Sequence, residues 1–115
     1  MALISASGAQ VIGPASGGKV TPFNNISTTP QQVIAGNPQR TKVTFHNPGT
    51  VDIFVAPMTQ ANGQALTVST SLLGGTYLVY ANGGDRVIDG ECSTAWQAFS
   101  RSSTGNPLTV SESNV

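Results

Sequence analysis

No window of ten or more residues in this chain carries apolar side chains at helical spacing, so no architecture that rests on helices is expected. The chain offers short apolar runs cut by glycine, proline and asparagine. From residue 31 onward the cuts recur at roughly ten-residue intervals, the rhythm of short antiparallel strands. Arg40 to His46 shows this best: Val43 and Phe45 fall on one side, and Lys42, Thr44 and His46 on the other. A period of two marks a strand with one face buried.

The remaining strands follow from the same grammar. Gln32 to Ala35 is a first strand, ended by Gly36-Asn37-Pro38. Asn47-Pro48-Gly49-Thr50 is a turn, because proline presets φ and glycine tolerates positive φ. Val51 to Val55 follows, and its closeness to the strand before it predicts a hairpin. Ala65 to Ser69 reads as a weak strand, Thr76 to Tyr80 as a stronger one. Asn82-Gly83-Gly84-Asp85 and Asp89-Gly90 turn the chain on either side of Arg86 to Ile88. Thr94 to Ser100 carries Trp96 and Ala98 on one face and Gln97 and Phe99 on the other; Leu108 to Val110 is the last strand. About seven or eight such strands make an all-β antiparallel sandwich or jelly roll.

Residues 1–30 have a different character. Gly8, Gly13, Pro14, Gly17, Gly18, Pro22 and Pro30 interrupt every candidate element. This stretch reads as an extended N-terminal arm, with the sandwich domain occupying 31–115. A solvating tail has no use for large apolar side chains, yet the arm holds Ile4, Val11, Ile12, Val20, Phe23 and Ile26. These six are the candidate contacts to a neighbouring subunit.

Charge narrows the function. Of 115 residues, five are Lys or Arg and five Asp or Glu, so the formal net charge is zero. Such a chain has no electrostatic grip on phosphate, which argues against nucleic acid and against an anionic membrane surface as partners. Its polarity comes from 40 Ser, Thr, Asn and Gln residues. The first eight residues hold no basic region and no apolar run of leader length, and no stretch approaches the roughly 20 apolar residues that span a bilayer. A soluble protein made in a cytosol is the expectation.

Candidate chemistry is sparse. His46 and Cys92 are the one pair able to act as base and nucleophile, with Asp52 as an orienting group. However, His46 lies on the polar side of its strand, and the neighbouring Glu91 would raise a thiol pKa rather than lower it. A surface histidine and a half-buried cysteine are the simpler expectation. A blue-copper site with Met58 fails because it needs two histidines and the chain has one. Asp85, Asp89 and Glu91 surround Gly90, but Asp and Gly are ordinary turn residues and the spacing matches no calcium loop. Gly13 to Lys19 lacks both the preceding strand and the glycine spacing of a phosphate loop. No enzyme activity, cofactor or metal is expected. Tyr77, Tyr80 and Arg101 form a possible ligand patch, whereas Trp96 shares a face with Ala98 and belongs to the core.

The stretch Arg40-Thr41-Lys42-Val43-Thr44-Phe45-His46-Asn47-Pro48-Gly49-Thr50-Val51-Asp52-Ile53-Phe54-Val55 resembles a pattern in small β-sandwich accessory proteins of tailed-phage virions. Gly75 to Val79 and Gly105 to Ser113 are similar to the same group, so the likeness covers about residues 31–115. It implies a head-decoration or cement protein, commonly a homotrimer or larger ring, assembled in the host cytoplasm and bound to the major capsid protein or other virion subunits. It brings no catalytic residues. The alternative is a receptor- or glycan-binding module of a fibre, spike or neck, using the Tyr77, Tyr80 and Arg101 patch.

Overall fold

The computed structural model describes residues 18–59, 63–65, 76–90, 92–103 and 105–114. They form eight strands: β1 (Lys19–Ile26), β2 (Gln31–Ile34), β3 (Arg40–Asn47), β4 (Ile53–Pro57), β5 (Tyr77–Val79), β6 (Gly84–Asp89), β7 (Trp96–Ser100) and β8 (Asn106–Asn114). None of the described residues is helical, and no helix is long and apolar enough to cross a membrane.

Two four-stranded antiparallel sheets face each other, with orders β1-β8-β3-β6 and β2-β7-β4-β5. First pairs with last, second with seventh, third with sixth and fourth with fifth. The chain is thus one long antiparallel ribbon, doubled back at β4 and β5 and rolled so that successive ribbon segments enter opposite sheets. This is a jelly-roll sandwich, the all-β class expected from the turn spacing.

Alternation decides what the sandwich encloses. Val43 and Phe45 of β3, Leu108 and Val110 of β8, Ile53 and Val55 of β4, Val79 of β5, and Trp96 and Ala98 of β7 form the buried core with Ile26, Val33 and Cys92. Phe45 and Trp96 meet across the two sheets with ring centroids 5.4 Å apart. Burying side chains of this size drives the sheets together, at roughly 1.5–3 kcal/mol each.

Two expectations change. β3 and β4 do not form a hairpin: β3 pairs with β6 and β8, and β4 with β5 and β7. Segment 48–52 carries the chain from one sheet to the other. Asn47 holds this crossing from inside. Its fully buried side chain donates from Nδ2 to the carbonyls of Val51 at 2.8 Å and Val79 at 3.0 Å, while Oδ1 accepts from Gly49 N–H. The second crossing, between β5 and β6, docks on the first, with Asn82 N–H donating to Gly49 and Gly83 N–H to Asn47. Asn82 and Gly83 both have positive φ, 64° and 95°. Gly84 lies so close to the Tyr80 carbonyl that no Cβ fits there.

Secondly, residues 19–26 of the expected arm are strand β1, paired with β8, and Ile26 is fully buried. Glycine and proline had obscured this strand; Pro22 sits on a sheet edge, where a missing N–H is tolerated. Of the expected weak strand, Ala65 makes an isolated bridge to Thr59, and the rest lies outside the described residues.

The two central strands of the second sheet, β4 and β7, are buried on both faces. Phe54 and Phe99, opposite the core on their strands, are buried, and their rings stack with centroids 5.1 Å apart.

Candidate functional site

The outward face of the β1-β8-β3-β6 sheet runs across four strands of known register. Registers align its residues in rows across all four strands. One row runs Val20, Ser111, Thr44, Val87. The next runs Pro22, Thr109, His46, Asp85, and a third holds Ser113, Lys42 and Asp89. The middle of the sheet therefore presents the hydroxyls of Thr44, Thr109, Ser111 and Ser113 together with His46 and Lys42, and each outer strand presents a valine. Val20 is 66% exposed and Val87 51%, the two aliphatic members of the exposed large hydrophobics.

The edges differ between sheets. In the second sheet the outer strands are short, four residues in β2 and three in β5, which is how native sheets avoid unwanted pairing. In the first sheet they are longer, eight residues in β1 and six in β6.

His46 and Cys92 do not meet. His46 points to solvent and its Nδ1 lies 2.6 Å from Asp85 Oδ1 across the β3–β6 pair. Cys92 is buried in the core, more completely than expected, with its thiol 3.9 Å from the Arg40 carbonyl. Asp52 accepts the Ala81 N–H. Asp85 is thus His46's partner and Asp89 lies opposite Lys42, while Glu91 falls outside the described residues. Among the described residues no group of three or more His, Cys, Asp or Glu side chains could hold a metal.

Arg40 escaped sequence reasoning, because it looked like the polar start of a strand. It is buried and ties three segments together. Its Nε donates to Glu112 at 2.9 Å, Nη1 to the carbonyls of Cys92 at 2.6 Å and Thr94 at 2.8 Å, and Nη2 to that of Ala35. Burial alone would raise the Glu112 carboxyl. Hydrogen bonds from Arg40 and Asn37, with the charges of Arg40 and Lys19, outweigh it and hold the group below its ordinary value. Glu112 also lines a cleft of about 390 Å³ between β1 and β2, beside Lys19, Thr21 and Val33.

Of the six arm residues, Ile4, Val11 and Ile12 lie outside the described residues. Val20 faces solvent, Phe23 packs partly against the core, and Ile26 is wholly within it. Ile26 is therefore committed to this chain's own interior and not to a neighbour.

Tyr77, Tyr80 and Arg101 do not share one patch. Tyr77 lies on the inward side of β5, its ring 5.9 Å from Trp96 and with the Arg86 guanidinium 5.7 Å from its centre. Tyr80 stands exposed just before the 81–83 turn. Arg101 lies over the Phe54 ring at 5.1 Å, on the opposite face of that sheet.

No family model matches the chain, and no curated protein matches it. Among solved structures it is similar to a protein of Bacillus endospore appendages, described as a novel family of disulfide-linked pili. The TM-score is 0.46 and the identity 11%, covering 93% of this chain and 100% of that one.

Proposed function

We propose that this chain is a structural protein of a tailed-phage virion: a capsid decoration protein that attaches to the head through its N-terminal arm and the margins of its sandwich. One observation carries the reading. Arg40, Asn47, Asp52, Cys92 and Glu112 are committed to internal hydrogen bonds or to the core, and the open sheet face offers hydroxyls and edge valines, with His46 paired to Asp85 and Lys42 opposite Asp89. Surfaces of that kind associate through many neutral hydrogen bonds and scattered apolar contacts. Residues 1–17 lead into β1, an edge strand, so Ile4, Val11 and Ile12 belong to a segment that joins the sandwich at its margin.

The test is occupancy. Heads lacking the protein are incubated with the full chain or with a chain lacking residues 1–17. The full chain decorates the heads and the truncated chain, still folded, does not. Normal occupancy by the truncated chain overturns the arm's role, and failure of the full chain to bind heads overturns the decoration role.

A further inference from the structure

Among the described residues, β1 and β6 have no strand partner on their outer sides, and these two edges of the β1-β8-β3-β6 sheet match one another. We infer that β1 of one copy pairs with β6 of a second copy, joining their sheets into one continuous antiparallel sheet. This interface goes beyond the arm-mediated attachment proposed above and does not depend on it.

Strand direction permits the match. The sheet is antiparallel throughout, so β1 and β6 run in opposite directions. A copy displaced sideways sets its β1 antiparallel to the first copy's β6.

Main-chain orientation limits the register to alternate positions, and the exposed valines at the two edges choose among them. Pro22 has no N–H, and a proline fits within a strand where that side faces the open edge. In an antiparallel ladder the N–H and C=O of a residue point to the same side, and the side alternates along the strand. Val20, two residues before Pro22, therefore also turns its main-chain groups outward. Carried along the row through Ser111 and Thr44, the same alternation turns the main-chain groups of Val87 outward at the opposite edge. Placed opposite each other, Val20 and Val87 of adjacent copies exchange both N–H···O=C bonds, and their exposed side chains cover one another on the same face. Each removes from water apolar surface that the isolated chain leaves open.

Charge favours the match as well. β1 carries Lys19 alone, whereas β6 carries Asp85, Arg86 and Asp89, so strands of opposite net charge meet, and in this register Lys19 falls opposite Ile88, Thr21 opposite Arg86 and Pro22 opposite Asp85, with no like charges facing each other. With zero net charge on the whole chain, no long-range repulsion opposes stacking. The contact is heterologous, so repeated use generates a ring or an open filament, according to the rotation between copies.

Cysteine pairing reads this directly. Directly opposite residues of a hydrogen-bonded antiparallel pair have Cα atoms about 5.5 Å apart, within disulfide reach. Within one copy, Val20 and Val87 are separated by three strand spacings, about 14 Å, beyond that reach. Full-length Val20→Cys and Val87→Cys proteins are mixed under mild oxidation, with no phage particle present. The expected product is a disulfide-linked dimer of one chain of each kind, strongly dominant over dimers of either chain alone; the double variant gives a ladder of higher multimers. Circular dichroism and thiol labelling verify that both variants are folded and reactive. Absence of the mixed dimer, or like-with-like dimers in equal yield, overturns the β1–β6 contact and leaves particle binding untouched. Conversely, a chain that cross-links as expected but binds no head overturns the decoration role alone.

Discussion

Arg40 Nε lies 2.9 Å from Glu112 Oε1, with the arginine side chain sealed from water and the glutamate side chain 10% exposed. The pair links the start of β3 to β8, and the rest of the guanidinium holds carbonyls of the 92–94 segment and of Ala35. Breaking such a pair from one side leaves a buried charge uncompensated.

Arg40→Ala should therefore cost about 3–5 kcal/mol, read as a fall in the urea midpoint at an unchanged slope. Arg40→Lys should recover little of it, because an ammonium cannot reproduce a fork that reaches a carboxylate and three carbonyls. Wild-type stability in the lysine variant would show that charge alone matters at this position.

Acid stability should depend on Glu112. Its carboxyl is held below its ordinary value of 4.5 in the folded chain. A group depressed in this way stabilises the fold above the ordinary value, and the contribution is lost as pH falls from there through the lower folded value. Glu112→Gln should thus be the less stable protein at neutral pH, and should lose less stability than wild type as pH drops below 4.5. Denaturation curves taken across that range check this, and parallel losses in the two proteins would contradict it.

Asn47→Leu should destabilise by about 2–4 kcal/mol, since the Val51 and Val79 carbonyls and the Gly49 N–H lose their buried partner. Asn47→Asp should also destabilise, because a carboxylate has no hydrogen to give to the two carbonyls. Thermal unfolding of both variants measures this; an Asp variant as stable as wild type would show that the amide donors contribute nothing.

Removal of residues 1–17 should leave the unfolding transition cooperative, because all eight strands formed by the described residues lie at or beyond Lys19. Removal of residues 1–26 should abolish it, since β8 loses its β1 partner and the core loses Ile26. Near-ultraviolet circular dichroism of Trp96 separates the two outcomes, and a folded 27–115 chain would contradict the placement of β1 in the sandwich.

The sandwich was legible because its strands carry a local signal: alternation in β3 and turn residues between runs predict strands without knowledge of their partners. Partnership was not legible. A proline-glycine turn between adjacent strands looks the same whether it closes a hairpin or carries the chain to the other sheet, and the deciding contacts join Asn47 to Val79, far away in sequence. Alternation sets Phe99 opposite Trp96 and Ala98, and Phe54 opposite Ile53 and Val55, but does not show that this second face is also covered. The unbroken run Ile53-Phe54-Val55-Ala56 was the available clue, since continuous apolar runs mark strands covered on both sides. Arg40 gave no such clue, because a burial that requires four partners is visible only once the fold has brought them together. The outward position of His46 followed from strand parity.

The mass of the intact chain in solution, followed by analytical ultracentrifugation from micromolar to millimolar concentration, tests most directly whether this molecule works by joining to copies of itself. Open β1 and β6 edges predict species at multiples of 11.8 kDa, growing with concentration and reduced when Val20 or Val87 is replaced by lysine. A single 11.8 kDa species throughout, unchanged by either replacement, would contradict it.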